Sequence, residues 1–135
     1  MIQPGMIWIG GITLAALVLY LATCIMVPRR RAKHQIWPPQ MTGHPEVEIA
    51  LRVQANTLEQ LVPFLAALWL CAWAWAPLPA ALLGVVWLFG RVLYAFGYYS
   101  APAKRMPGFV ISMVTLILLL IGAAYGLIRL AIVLG

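Results

Sequence analysis

Four long apolar segments, separated by short polar or proline-rich links, dominate the pattern of this chain. We predict helices over about residues 6–28, 45–76, 79–100 and 107–133. Each is long enough to cross a hydrocarbon layer of ~30 Å, which takes about 20 helical residues. Because backbone groups in lipid must satisfy one another, helices are expected rather than isolated strands. The pattern predicts an all-α, integral membrane four-helix bundle that forms a single domain over residues 1–135.

Charge is sparse and lies mainly in two of the three links. The chain is 64% hydrophobic, with a formal net charge of +6. Basic residues crowd the first and third links, whereas the second link carries none: Arg29, Arg30, Arg31, Lys33, Lys104 and Arg105. By the positive-inside rule both basic links are expected to face the cytoplasm. The compact chain without a sorting motif leads us to expect a bacterial inner membrane.

Several classes of function lack the residues that they need. Cys24 and Cys71 lie in different predicted helices without CxxC spacing, which disfavours a disulfide oxidoreductase. His34 and His44 both fall in the first link, so we predict no metal or haem site. The basic residues are divided between helices and links, and we predict no nucleic-acid partner. A cation transporter is disfavoured because Glu59, its candidate acid, lies among arginines.

Polar residues interrupt the second apolar segment at helical spacing. Arg52, Asn56 and Glu59 follow an i, i+4, i+7 pattern and are expected to share one face of the helix. Gln54 lies outside that face. A charged side chain costs roughly 2.5–3.5 kcal/mol in the middle of a bilayer. This polar face is therefore expected to turn towards another helix or a partner subunit rather than towards lipid.

A second polar face is predicted on the third apolar segment. Arg91, Tyr94 and Tyr98 follow an i, i+3, i+7 pattern, and a continuing helix would add Arg105 to the same face. Because both faces avoid lipid, we expect the two neighbouring helices to turn them towards each other or towards a partner subunit.

The chemistry of these faces suits a small anionic peptide. Arginines offer planar forks for carboxylates, and Glu59 could hold an ammonium group. Glutathione carries both kinds of group and a thiol whose pKa a nearby arginine would lower. A structural alternative stays open, in which Arg52 or Arg91 pairs with Glu59 and holds the bundle together. The excess of arginines over buried acids favours a ligand.

The segments RVQANTLE at 52–59 and RVLYAFGY at 91–98, followed by Arg105, resemble the MAPEG family. These are the membrane-associated proteins in eicosanoid and glutathione metabolism, which include the microsomal glutathione transferases. The resemblance covers about residues 30–107 and extends to the first link, with its Pro38-Pro39 and Pro45-Glu46 pairs. It implies a homotrimer of four-helix subunits, with glutathione bound between neighbours on the cytoplasmic side.

The resemblance also implies roles for individual residues. Positions that match glutathione-binding residues of the family are Arg31, Arg52, Gln54, Asn56, Glu59, Arg91, Tyr94 and Tyr98. Arg105 resembles the arginine assigned to thiolate stabilisation in some members, and Arg31 resembles one supplied across the subunit interface. Gln60 and Ala32 depart from the pattern of some eicosanoid enzymes, which weakens the case for leukotriene-type synthesis.

We therefore predict a membrane-bound glutathione transferase, with glutathione peroxidase activity as a related option. Glutathione would be the co-substrate and Arg105 the catalytic residue. A hydrophobic electrophile or a lipid hydroperoxide would reach the site from membrane lipid, and detoxification would be the role. The alternative is a non-catalytic glutathione-binding or scaffold protein of the same fold, and a turnover assay separates the two.

Overall fold

The computed structural model describes residues 4–135, which form four long helices and one short 3-10 helix. The long helices are α1 (Met6–His34), α2 (Pro45–Ala74), α3 (Pro77–Ser100) and α4 (Met106–Leu134). The 3-10 helix, Pro102–Arg105, lies between α3 and α4. Each long helix is extended and apolar enough to cross a membrane. The prediction of an all-α, four-helix membrane bundle is confirmed.

Two helix boundaries that matter for the site differ from the prediction, at the end of α1 and at the start of α3. α1 continues to His34, because Pro28 is accommodated within the helix and the basic residues after it stay helical. α3 begins at Pro77, since proline suits the first turn of a helix. It ends at Ser100, as predicted, before the separate 3-10 helix. The condition for Arg105 to share the α3 face along one helix, a continuing helix, is therefore not met.

Both basic links lie at the same end of the bundle. Arg52 near the start of α2 and Tyr98 near the end of α3 line one pocket, together with Pro102 of the third link. At the other end, a Cβ added to Gly5 would lie 2.7 Å from Cβ of Pro77, so α1 begins beside the α2–α3 link. The helices thus alternate in direction. The side of the membrane that each end faces stays a prediction.

α2 and α3 are the central elements, because each of them contacts the three other long helices. Phe64 of α2 stacks on Trp87 of α3, with ring centroids 3.7 Å apart and planes 5° apart. The Trp87 indole donates a hydrogen bond to Gln60 Oε1 at 3.2 Å, which supplies a polar partner within the buried core. Residues from α1 and α4 complete this core, including Ile9, Ile12, Leu116 and Leu119.

α3 and α4 approach each other most closely beside Tyr94. A Cβ added to Gly108 of α4 would lie 2.6 Å from the Gly90 carbonyl oxygen and would overlap the backbone of Tyr94. Small residues permit such close contact between membrane helices. The backbone that carries Tyr94 is therefore held directly against α4.

Candidate functional site

A hydrogen bond between α2 and α3 joins the two predicted polar faces. Asn56 Nδ2 donates to Tyr94 Oη at 2.6 Å. The Tyr94 side chain is fully buried, and the Tyr98 ring meets it edge-on with 5.7 Å between centroids. The contact brings one residue of each face together within a single subunit.

Arg91 lies three residues before Tyr94 on α3, and only 1% of its surface is exposed. One of its guanidinium nitrogens donates to Thr57 Oγ1 at 2.7 Å, and the guanidinium carbon lies 4.0 Å from the centroid of the Tyr94 ring. The ring face supplies a favourable cation–π contact. The other two guanidinium nitrogens, Nε and Nη1, have no partner within residues 4–135. Arg91 is therefore a buried cation with hydrogen-bonding capacity left unused.

The polar face of α2 is rotated outward relative to the prediction. The predicted polar face begins at Arg52 and follows the spacing i, i+4, i+7. The same spacing, started one residue later and continued to i+11, gives buried residues of α2: Val53, Thr57, Gln60 and Phe64. A shift of one residue turns a helix face by about 100°. Arg52 and Glu59 are consequently exposed, and Asn56 is half-buried between the two faces. Within one subunit only part of the α2 face turns towards α3, and the alternative that the rest of it faces a partner subunit stays a prediction.

The ion pairs that sequence reasoning left open do not form in the described part of the chain. Within residues 4–135, neither Arg52 nor Arg91 pairs with Glu59, and the ion pairs that do form all involve Glu46. Arg91 uses the neutral hydroxyl of Thr57 instead. The cations of the two faces therefore keep their capacity for an external anion.

Arg105 reaches the site through the 3-10 helix rather than along α3. Its guanidinium carbon lies 5.1 Å from the centroid of the Tyr98 ring, and one nitrogen donates to the Pro102 carbonyl at 2.9 Å. The side chain is half-buried. The turn that Pro102 introduces thus returns this arginine to the end of the α3 polar face.

Two of the predicted site residues point elsewhere within the subunit. Arg31 is 8% exposed and donates to the Gln40 carbonyl at 2.6 Å, which holds the first link against α1. Gln54 Nε2 contacts Cys24 Sγ at 3.5 Å, on the side of α2 that faces α1. Neither side chain contacts Asn56. A contribution from either residue across a subunit interface stays a prediction.

Two of the open pockets along the polar faces are lined by residues of both α2 and α3. One of about 220 Å³ has Arg52 and Tyr98 in its lining. The other, of about 270 Å³, is lined by Asn56, Glu59 and Arg91, with apolar residues of α4 on the far wall. Both pockets pair a cation with neutral hydrogen-bonding groups and one carboxylate. They could accommodate a small zwitterionic or anionic molecule.

The sequence model that describes the MAPEG family matches residues 9–125 of this chain. This chain belongs to the MAPEG family. The match extends over all four long helices, which together with their apolar character makes the protein an integral, multi-pass membrane protein. The resemblance that the two sequence motifs indicated is confirmed.

Individual relatives match most of this MAPEG chain. Microsomal glutathione S-transferase 2 of Homo sapiens is 36% identical over 124 residues, which cover 87% of this chain and 84% of the relative. Leukotriene C4 synthase of Cavia porcellus is 37% identical over 119 residues, which cover 88% of this chain and 79% of the relative. An uncharacterized protein of Synechocystis sp. is 49% identical over 123 residues, which cover 91% of this chain and 90% of the relative.

Sequence reasoning missed the polar cluster that fastens α1 to α2 in this MAPEG protein. The Glu46 carboxylate accepts hydrogen bonds from Arg30 at 2.6 Å and Lys33 at 3.0 Å, and His34 Nε2 lies 3.0 Å from it. The His34 ring stacks on His44, with 3.5 Å between centroids. The available signal in the sequence was an acidic residue, Glu46, just after the first link and opposite the basic end of α1.

Replacing Thr57 with valine should destabilise the protein, because it removes the hydrogen-bond acceptor of buried Arg91 while keeping the side-chain shape. An unpaired buried group costs about 1–3 kcal/mol, and more when it is charged. Thermal unfolding of the detergent-solubilised protein measures the change.

Thr115→Val is the matched control. Thr115 is equally buried, but its hydroxyl donates only to the Ile111 carbonyl in the same helix. We expect a small change for that variant. Equal unfolding temperatures for the two variants would contradict the role assigned to Thr57.

Proposed function

We propose that this protein is a trimeric membrane glutathione transferase that conjugates the glutathione thiolate to hydrophobic electrophiles, with a role in detoxification. The observation that carries the proposal is the Asn56–Tyr94 hydrogen bond, which joins two arginine-bearing faces at open pockets. Two relatives are named as a microsomal glutathione S-transferase and a leukotriene C4 synthase, which supports this reaction class. Reduction of lipid hydroperoxides by the same thiolate is a related activity.

The proposed site assigns each charged group of glutathione a partner of opposite charge. Arg52 and Arg91 hold the carboxylates, and Glu59 holds the γ-glutamyl ammonium group. The geometry of the guanidinium fork suits a carboxylate. Hydrogen bonds from the neutral groups orient the peptide, and the residues proposed for this are Asn56, Tyr94, Tyr98 and, to a lesser extent, Gln54.

A neighbouring subunit is proposed to complete the site. Arg52 and Glu59 are exposed in the single subunit, so one side of the site is open. Arg31 and Gln54 do not reach Asn56 in their own chain. In a trimer, Arg31 from a neighbour would add a third cation, and the hydrophobic substrate would enter from lipid beside the first helix of that neighbour.

Arg105 is the proposed catalytic residue. A positive charge near sulfur favours the thiolate, which is the nucleophilic form of a thiol. The thiol proton passes to solvent, sulfur forms a bond to the electrophilic carbon, and the leaving group departs with its electron pair. The position of Arg105 beside Tyr98, at the rim of the site, supports this role.

We propose a bacterial inner membrane as the location, with both basic links in the cytoplasm. The relative from Synechocystis sp. supports a bacterial setting. The grouping of Lys104 and Arg105 with the basic end of α1 at one end of the bundle suits the positive-inside rule.

Calorimetric titration of the detergent-solubilised protein with glutathione tests the proposal. We expect saturable binding that Arg52→Ala weakens at least tenfold, because a charge-assisted hydrogen bond contributes about 1.5–3 kcal/mol. Arg129→Ala is the control, since that exposed arginine lies near the end of α4. Consumption of an activated aryl halide then separates a transferase from a scaffold. The absence of binding at millimolar glutathione would contradict the proposal.

Replacing Arg105 with alanine should raise the pKa of the bound glutathione thiol by about 1–3, because an opposite charge nearby no longer favours the thiolate. Ultraviolet absorbance of the thiolate, followed against pH at saturating glutathione, measures the change. Lys104→Ala is the control, as the adjacent exposed cation. Unchanged thiolate absorbance in the Arg105 variant would remove this residue from the mechanism.

A further inference from the structure

The three consecutive arginines near the end of α1 point in three directions, because successive helical residues are about 100° apart. Arg30 pairs with Glu46, and Arg31 holds the carbonyls of the first link. Arg29 belongs to neither contact. It lines a groove between α1 and α3 instead, and it is exposed.

This α1–α3 groove has a volume of about 340 Å³ and walls that are almost entirely apolar. Ala22 and Met26 of α1 face Phe96 of α3 across it, with Arg29 at the end nearest the basic links. Tyr99 also lines the groove, and its hydroxyl oxygen is buried without a hydrogen-bond partner within residues 4–135. A hydroxyl buried by the protein's own atoms is not reached from the open groove, so exposed Arg29 is the charged group that the groove offers to a ligand.

We propose that the α1–α3 groove binds one acyl chain of an anionic phospholipid, whose phosphate accepts hydrogen bonds from Arg29. The apolar walls match the chain, and the guanidinium matches the phosphate. Lipid surrounds the groove because the protein spans a membrane. The other cations at this end, Arg30 and Lys33, disfavour a headgroup that carries its own positive charge.

Charge complementarity at Arg29 distinguishes this ligand from other apolar occupants. A neutral electrophile or the apolar helix of a second subunit would fill the walls but leave the guanidinium without an acceptor. The site is also separate from the proposed glutathione site, since none of Arg52, Asn56 or Tyr94 lines it. The lipid proposal therefore does not depend on the transferase proposal.

Native mass spectrometry of the full-length protein in detergent, titrated with dioleoylphosphatidylglycerol or dioleoylphosphatidylcholine, tests the site. We expect preferential retention of phosphatidylglycerol by the wild type. Arg29→Gln should weaken that binding about fivefold, from the typical contribution of one cation at an anionic surface. Tyr99→Phe should have little effect, because the Tyr99 hydroxyl is buried and does not reach the lipid. Arg129→Gln, at the end of α4, is the charge-matched control and should have little effect.

Filling the groove tests the role of the acyl chain. Ala22 is exposed and lines the groove, so Ala22→Trp should block lipid retention while leaving Arg29 in place. Thermal unfolding checks that this variant is folded, and Met26→Trp, which fills the same groove, provides the test if it is not. Glutathione titration of Arg29→Gln should match the wild type, which separates the outcome for this site from the outcome for the transferase site.

Three results would overturn the lipid proposal. Equal loss of binding in the Arg29 and Arg129 variants would mean diffuse attraction to the protein surface. Full retention of phosphatidylglycerol by a folded Ala22→Trp variant would mean that the groove is not occupied. Competition by glycerol phosphate at concentrations close to those of the lipid would mean that the acyl chain contributes no binding.

Discussion

The buried guanidinium of Arg91 is the constraint around which the middle of the bundle is arranged. Burying a cation away from water and lipid is costly, and hydrogen-bond acceptors and aromatic faces reduce that cost. Thr57 of α2 supplies the acceptor, and the ring of Tyr94 supplies the face. The same arrangement aims the Tyr94 hydroxyl at Asn56. One desolvated charge thus fixes the relative positions of α2 and α3 and creates the polar contact at the candidate site.

The packing around Arg91 explains how an apolar bundle can hold a precise polar site. Gly108 allows α4 to lie directly against the backbone of Tyr94, and Phe64 stacks on Trp87 one layer further into the core. α4 thus restricts the rotation of α3 on one side, and Phe64 of α2 restricts it on the other. The exposed groups at the rim, Arg52 and Glu59, are then presented on a rigid support.

Hydropathy predicted the number of helices and their membrane character, and two motifs indicated the family. The rotation of α2 could not be read in the same way, because lipid-facing and core-facing positions are both apolar in a membrane protein. The polar residues were therefore expected to turn away from lipid, towards another helix or a partner subunit. In the structure Thr57 and Gln60 lie inward, whereas Arg52 and Glu59 reach the exposed edge.

Helical periodicity also could not predict the turn after α3 or the contacts of the first link. Pro102 starts a 3-10 helix that returns Arg105 to Tyr98, a path set by local backbone geometry rather than by spacing along a helix. Arg31 and Glu46 make contacts within the link, which depend on how the long end of α1 meets the start of α2. Opposite charges near the first link indicate that α1 and α2 meet there, but they do not show which residues pair.

The central claim is that the polar faces of α2 and α3 act as one glutathione site through the Asn56–Tyr94 hydrogen bond. A double-mutant cycle on glutathione affinity, with Asn56→Ala, Tyr94→Phe and the double variant, tests it most directly. We predict a coupling energy of about 0.5–3 kcal/mol, as found for residues in direct contact. Effects that add to within roughly 0.3–0.5 kcal/mol would contradict a single joint site.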